Sequence, residues 1–148
     1  MYDASSKTFT LPVTVEFEDI DSYNIVHNTR LLDYLERARV HFLTGAIGLD
    51  LYPEGTGIVV YNLEVRFNRP AFLFDTLAVK VFVSSMDRHR LTLGYRMLRG
   101  NEVLARASCG LAFMDRANGT LVAAPETYRE RIMPYVITKK PAEPSSMK

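Results

Sequence analysis

One stretch of helical periodicity stands in a chain that otherwise alternates. Leu31, Leu35, Ala38 and Phe42 recur at helical spacing, and Leu32 and Leu43 widen the stripe, while Arg30, Asp33, Arg37 and Arg39 are polar. That is the pattern of a helix with one buried face. Period-two segments surround it. Val13, Val15 and Phe17 alternate over 11–17, and Val59, Tyr61, Leu63, Val65 and Phe67 share a face over 58–68. Leu77, Val79, Val81 and Val83 make a third strand, and Leu91, Leu93, Tyr95 and Met97 a fourth. Val103, Ala105, Ala107, Cys109, Leu111 and Phe113 make a fifth, near 103–114. One long helix cannot shield both faces of five strands, so it belongs across one face of a curled antiparallel sheet, an α+β arrangement.

Punctuation residues set the boundaries. Asn28 is a good N-cap for the helix, because its side chain can accept a bond from a first-turn amide, and Gly45 suits the C-terminal end. Gly48, Pro53, Gly55 and Gly57 mark a loop over 46–57. Pro70 ends the second strand, since proline cannot donate to a ladder. Arg99-Gly100-Asn101 reads as a hairpin turn. Pro125 opens a short helix near 126–133. The small residues Ala105, Ala107 and Gly110 leave room for close helix approach. We expect one domain over 1–137 and a flexible tail over 138–148.

Composition narrows the function classes. A formal net charge of +1 gives no footprint for nucleic acid or an anionic bilayer. No apolar run approaches the ~20 residues of a membrane span. The segment Met1–Lys7 lacks the apolar core of a signal peptide. One cysteine, Cys109, excludes an intrachain disulfide, and a cytoplasmic location is the simplest expectation. His27, His41 and His89 show no metal-ligand spacing, so no metal is expected.

The chemistry concentrates in Asp19-Ile20-Asp21-Ser22-Tyr23-Asn24-Ile25-Val26-His27-Asn28, directly ahead of the long helix. A carboxylate in a tight loop before a helix N-terminus sets a base or nucleophile opposite a backbone donor able to polarise a carbonyl. Asp21 can equally be a turn-forming loop acid, and Asp19 is the competing carboxylate.

Three segments resemble the hotdog-fold acyl-CoA thioesterases, most closely the group typified by 4-hydroxybenzoyl-CoA thioesterase and the bacterial Tol-Pal-associated thioesterases. Phe17 to Asn28 is similar to the family's catalytic loop. Tyr34-Leu35-Glu36-Arg37-Ala38-Arg39 resembles its central helix, and Val65 to Leu77 its strand, Pro-Ala, Asp, strand segment. The resemblance runs from about 11 to 133. It implies a hotdog fold, hydrolysis of an acyl-CoA to a free acid and coenzyme A, and no cofactor beyond the coenzyme A of the substrate. The family's catalytic aspartate falls on Asp21, and the helix-start N–H that holds the thioester oxygen falls on Asn28. Two positions depart from the family. Asn24 replaces the usual glycine, and asparagine tolerates the left-handed conformation a turn requires. Residue 28 is often tyrosine or histidine in relatives, a difference that bears on substrate shape.

The resemblance further implies a homodimer or homotetramer in which the strand near 58–68 joins its counterpart, with the pocket between subunits. His27, Val59, Val60 and Tyr61 are then candidates to line the substrate, and Arg88 and Arg90 to meet the phosphates of coenzyme A. Arg88-His89-Arg90 is equally an ordinary polar hairpin tip, and Cys109 a buried small hydrophobe. Glu36 is expected to pair with Arg37 or Arg39. Asp21 serves as nucleophile or as general base on water, and both stay open. An acyl carrier protein thioesterase and a non-catalytic acyl-CoA-binding module are the alternatives. A dehydratase lacks its His-Phe-Pro element here.

Overall fold

A computed structural model describes residues 1–51 and 55–137. The strands are β1 (Tyr2–Asp3), β2 (Thr8–Thr14), β3 (Thr56–Phe67), β4 (Thr76–Met86), β5 (Arg90–Arg99), β6 (Glu102–Asp115) and β7 (Leu121–Val122). The helices are α1 (Asn28–His41) and α2 (Glu126–Ile132). The sheet is antiparallel and open, in the order β1-β2-β4-β5-β6-β3, with β7 added to β6. The five long strands are the five the alternation predicts, joined by the two-residue β1 and β7 and a second helix. The expected tail over 138–148 and Pro53 of the expected loop lie outside the described residues.

The core forms where the helical stripe meets the alternating faces. Leu31, Leu35, Ala38 and Phe42 of α1 are buried with Leu77, Val79, Val81 and Val83 of β4 and Leu91, Leu93, Tyr95 and Met97 of β5. Cys109, Leu111 and Phe113 of β6 join them. Burying a side chain of this size is worth about 1.5–3 kcal/mol, so this face carries most of the stabilising area.

Two bulges change which residues face α1. β3 shifts register between Val60 and Asn62, leaving Tyr61 as the extra residue. The predicted single face of Val59, Tyr61, Leu63, Val65 and Phe67 is therefore split. Ile58 and Val60 lie opposite the buried Phe113 and Leu111, Leu63 lies opposite the buried Cys109, and Val59 and Tyr61 take the other side. A bulge reverses the alternation without changing composition, so the period-two pattern could not reveal it. The second shift falls between Met97 and Leu98 of β5 and makes Leu104 the extra residue of β6. Leu104 enters the core cluster and Val103 leaves it.

Three boundary expectations also change. Phe17 does not continue the first strand; it opens a short turn over Phe17–Asp19 and is 76% exposed. α1 does not stop at Gly45. A wide turn continues over Phe42–Ala46, with Ile47 N–H donating to Phe42 O, and the reversal comes at Gly48, φ +81. There Leu49 N–H donates to Leu43 O, the closing bond of a left-handed C-terminal cap. Gly110 does not face the helix; a Cβ there would stand 2.6 Å from Tyr61 Cζ, so the glycine makes room for the tyrosine ring. The Arg99–Asn101 turn and the Pro125 helix start are as expected, with Gly100 at φ +62.

Gly94 is the most closely approached of the described glycines, because a Cβ there would overlap the ring of Phe82. Gly94→Ala should destabilise the protein by about 1–3 kcal/mol through forced displacement of that ring. A urea-unfolding midpoint unchanged from wild type would contradict this packing.

Candidate active site

The loop ahead of α1 is built by its own side chains. Asp19 is 8% exposed. Its Oδ2 accepts from the Tyr34 hydroxyl at 2.7 Å and from Glu16 N–H at 3.1 Å, and its Oδ1 lies 3.7 Å from Arg30 Nε. Burial, then the bond to Asp19, push the Tyr34 hydroxyl pKa well above the ordinary tyrosine value. Asp19 O also accepts from His27 N–H at 3.0 Å, which fixes where the helix begins.

Asp21 folds over the next turn. Its Oδ1 accepts from Tyr23 N–H at 2.8 Å and from Ile25 N–H at 3.1 Å, and its own N–H donates to Ile25 O at 2.8 Å. Asp21 is thus a turn-forming residue, as its chemistry allows. Its Oδ2 has no hydrogen-bond partner among the described residues. Asn24 holds φ +66, the left-handed conformation expected where relatives carry glycine. Its Oδ1 accepts from Leu73 N–H at 3.0 Å, which joins the loop to residues 71–75. Bridges between Ile25 and Phe72 and between Ile20 and Val26 complete the seam. Asp75 closes its far side, accepting from Phe72 N–H at 2.9 Å and from Arg99 at 2.6 Å.

His27, not Asn28, is the N-cap; it has φ −60 and ψ 139 and makes no side-chain capping bond. Asn28 is the first helical residue, so its N–H is one of the unsatisfied amides of the helix start. The first turn holds no acidic residue, so no side chain within it neutralises the positive end of the helix dipole. Asn28 lines an open cleft of about 230 Å³ with Val26, Leu31, Phe67, Asn68 and Pro70. Asp21 lies one bridge away from this cleft, through its bonds to Ile25, which also lines it.

The other candidates sit at the opposite end of the sheet. Asp87 Oδ1 accepts from His89 N–H at 2.8 Å and from Arg90 N–H at 2.7 Å, which makes Arg88-His89-Arg90 a polar hairpin tip. Arg90 stacks over the Tyr61 ring at 5.4 Å. β4 spans eleven residues from Thr76, near the Asp21 loop, to Met86, near this tip. At about 3.3 Å per residue that is roughly 35 Å. Within the chain, then, Asp21, His27 and Asn28 form one group and Val59, Val60, Tyr61, Arg88 and Arg90 another. Arg69 and Arg99 are engaged with Glu102 at 2.8 and 2.7 Å. Glu36 pairs with Arg39 at 3.5 Å, as expected. Among the described residues no group of three or more His, Cys, Asp or Glu is placed to hold a metal, and no helix is long and apolar enough to cross a membrane.

The sequence did not reveal the Asp19–Tyr34 bond. The partners are fifteen positions apart, and no periodicity in the sequence pairs them. Tyr34→Phe should cost about 1–3 kcal/mol, because it leaves a buried carboxylate oxygen short of its donor. Urea unfolding measures this; an unchanged midpoint would show that the tether does not hold the loop.

The chain is similar to known thioesterases. Acyl-CoA thioesterase YbgC of Haemophilus influenzae is 29% identical over 121 residues, covering 80% of this chain and 89% of the relative. The crystal structure of a probable thioesterase from Bartonella henselae is 26% identical with a TM-score of 0.70, covering 80% of this chain and 98% of that one. Slr0204, a 1,4-dihydroxy-2-naphthoyl-CoA thioesterase from Synechocystis, shares the fold at 20% identity and a TM-score of 0.77, covering 85% and 96%. The sequence profile of the Thioesterase-like superfamily matches residues 15–132, and the chain belongs to that family, with its hotdog-type fold.

Proposed function

We propose that this protein hydrolyses acyl-CoA thioesters to the carboxylic acid and coenzyme A. One observation carries the assignment of residues. Of the two carboxylates in the loop ahead of α1, Asp19 is committed to Tyr34 inside the protein, while Asp21 keeps Oδ2 uncommitted and is bonded to Ile25, which lines the same cleft as the helix-start residue Asn28. A thioester carbonyl seated on Asn28 N–H would be polarised as charge grows on its oxygen, helped by the undiluted dipole of α1. Asp21 then acts in one of two ways. As nucleophile, it bonds to the carbonyl carbon, the C–S bond breaks, coenzyme A leaves as thiolate, and water opens the resulting anhydride. As general base, it takes a proton from water, whose oxygen attacks the carbon directly; the C–S bond then breaks, and coenzyme A leaves as a thiolate that takes up the proton. Neither route calls on a metal or cofactor.

We further read the fold as five main strands curled around α1 in each of two protomers. β3 is an edge strand of twelve residues. Val60, Tyr61, Leu63 and Phe67 on it are 40–49% exposed. A long apolar edge is a template for strand pairing, and a second copy is the natural occupant. Antiparallel pairing of two such strands would set the Phe67 end of one beside the Ile58 end of the other. The Asp21, His27 and Asn28 group of one protomer would then face Val59, Val60, Tyr61, Arg88 and Arg90 of its partner, which accounts for two groups of candidates far apart in one chain.

Asp21→Asn and Asp21→Ala should each lower turnover about a hundredfold or more with folding intact, measured by thiol release from a panel of acyl-CoA esters. Glu36→Gln should be much milder; a reversed order would assign the attack to Glu36. Thiol release from acyl carrier protein thioesters alone would move the substrate to that carrier. Tight acyl-CoA binding without release above background would leave a binding module.

Leu63→Lys places a charge on the edge of β3 and should yield a monomer by sedimentation, with hydrolysis lost alongside. A fully active monomer would remove the shared site.

A further inference from the structure

The hairpin between β5 and β6 carries two charged residues that the hydrolytic mechanism does not use. Arg99 closes β5, Gly100 turns the chain, and Glu102 opens β6. Arg99 Nε and Nη2 donate to Glu102 Oε1 at 3.2 and 2.7 Å. Its Nη1 donates to Asp75 Oδ2 at 2.6 Å and to Pro70 O at 3.3 Å. Its Cζ stands 5.5 Å from the centre of the Phe72 ring. Glu102 Oε2 accepts from Arg69 at 2.8 Å, and Arg69 and Pro70 both line the Asn28 cleft. The bonds to Glu102, then to Asp75, raise the Arg99 pKa above the ordinary guanidinium value. One planar fork thus spans the neck of segment 70–75, touching its first residue, its last and a ring between them. A guanidinium can serve such divergent acceptors together, which the point charge of an ammonium cannot.

Segment 70–75 needs that hold. Phe74 takes φ +66 and is exposed. A bulky residue seldom occupies the left-handed region, and it stays there only where its surroundings fix the backbone. Here Phe74 N–H donates to Val15 O at 3.0 Å and Asp75 N–H to Phe72 O at 3.1 Å, while Asp75 Oδ2 accepts from both Phe72 N–H and Arg99. The segment in turn holds the loop ahead of α1. Ala71 O accepts from Val26 N–H at 2.9 Å, Phe72 bridges Ile25, and Leu73 N–H donates to Asn24 Oδ1. Ile25 then meets Asp21 through both its N–H and its carbonyl. The route from Arg99 to Asp21 is therefore built of hydrogen bonds and one β-bridge, with no gap in it.

We propose that Arg99 is a positioning residue for the hydrolysis: it locks residues 70–75, and these hold the turn that carries Asp21 at the Asn28 cleft. A reacting group on a loop depends on such support, because a displacement of about 1 Å costs roughly a hundredfold in rate. This inference rests on the hydrolytic reading above and names the residue that aims its nucleophile or base.

The test combines kinetics with amide hydrogen exchange on the full chain. Arg99→Ala should lower kcat roughly ten- to a hundredfold while KM stays within about threefold, since the loss falls on the transition state and not on substrate binding. Arg99→Lys should fall between the two. Guanidinium added at millimolar concentration should restore part of kcat to Arg99→Ala and nothing to Asp21→Asn. In Arg99→Ala the amides of Ile25 and Val26 should exchange faster, with Leu91 and Leu93 of β5 unchanged. A kcat in Arg99→Ala within about twofold of wild type would overturn the proposal. So would a loss of kcat that neither lysine nor guanidinium restores, accompanied by faster exchange throughout β5, since that marks a general structural role. If Arg99→Ala does not fold, Arg99→Lys carries the same comparison: a lowered kcat at unchanged KM with faster exchange at Ile25 supports the proposal, and wild-type kcat and exchange overturn it. If wild type cleaves no acyl-CoA ester, the hydrolytic reading fails by itself. Exchange at Ile25 and Val26 then decides whether Arg99 holds the turn: faster exchange in the variant supports that hold, and unchanged exchange overturns it.

Discussion

The hydrogen bond from Tyr34 to Asp19 is the constraint on which the site depends. A charge-assisted bond between a buried hydroxyl and a buried carboxylate is worth about 1.5–3 kcal/mol, and it joins the loop to the second turn of α1. Because Asp19 O also receives His27 N–H, the same residue fixes the point at which the helix starts. The free amide of Asn28 is therefore held in a set place, and Asp21 is carried just outside the tether. Two carboxylates only two residues apart acquire different roles because one faces Tyr34 and the other faces its own turn. Preorganisation of this kind lets a backbone donor stabilise growing charge with little rearrangement.

The sheet contributes through its edges and irregularities. β3 closes one side of the clefts at both Asn28 and Arg39, and it is an edge strand of the sheet among the described residues, with apolar side chains half exposed. The bulge at Tyr61 turns that residue over Gly110, against Arg90, and sends Val60 toward α1. The bulge thus sorts neighbouring residues of one strand between a cleft wall and the opposite face. Without it, Val60 and Leu63 could not both share the side of the sheet that α1 covers.

Much of this was legible beforehand. The helical stripe from Leu31 to Phe42 and the alternation in β4 and β5 specified which faces would be buried. Asn24 was legible too, as a residue able to hold the left-handed turn that relatives build with glycine. The errors have local causes. Phe17 has the right parity for a strand, but the chain leaves the sheet after Thr14, three residues earlier than parity suggests, and Asp19 holds the turn that follows. Val103 and Tyr61 were assigned to the wrong face because a single extra residue inverts everything on one side of it. Asn28 is a strong capping type, yet the bond from His27 N–H to Asp19 O puts the cap one residue earlier.

By itself the sequence determined the element types, the inward faces of the central strands, the family, and the loop in which the chemistry is sought. These rest on short-range periodicity and on residue types that only certain backbone conformations accept. The tertiary structure alone decided that Asp19 is spent inside the protein while Asp21 retains a free oxygen, and that Tyr61 lies across Gly110. Each of these depends on contacts between residues far apart in the chain, where geometry and solvent exclusion assign the role and residue identity does not.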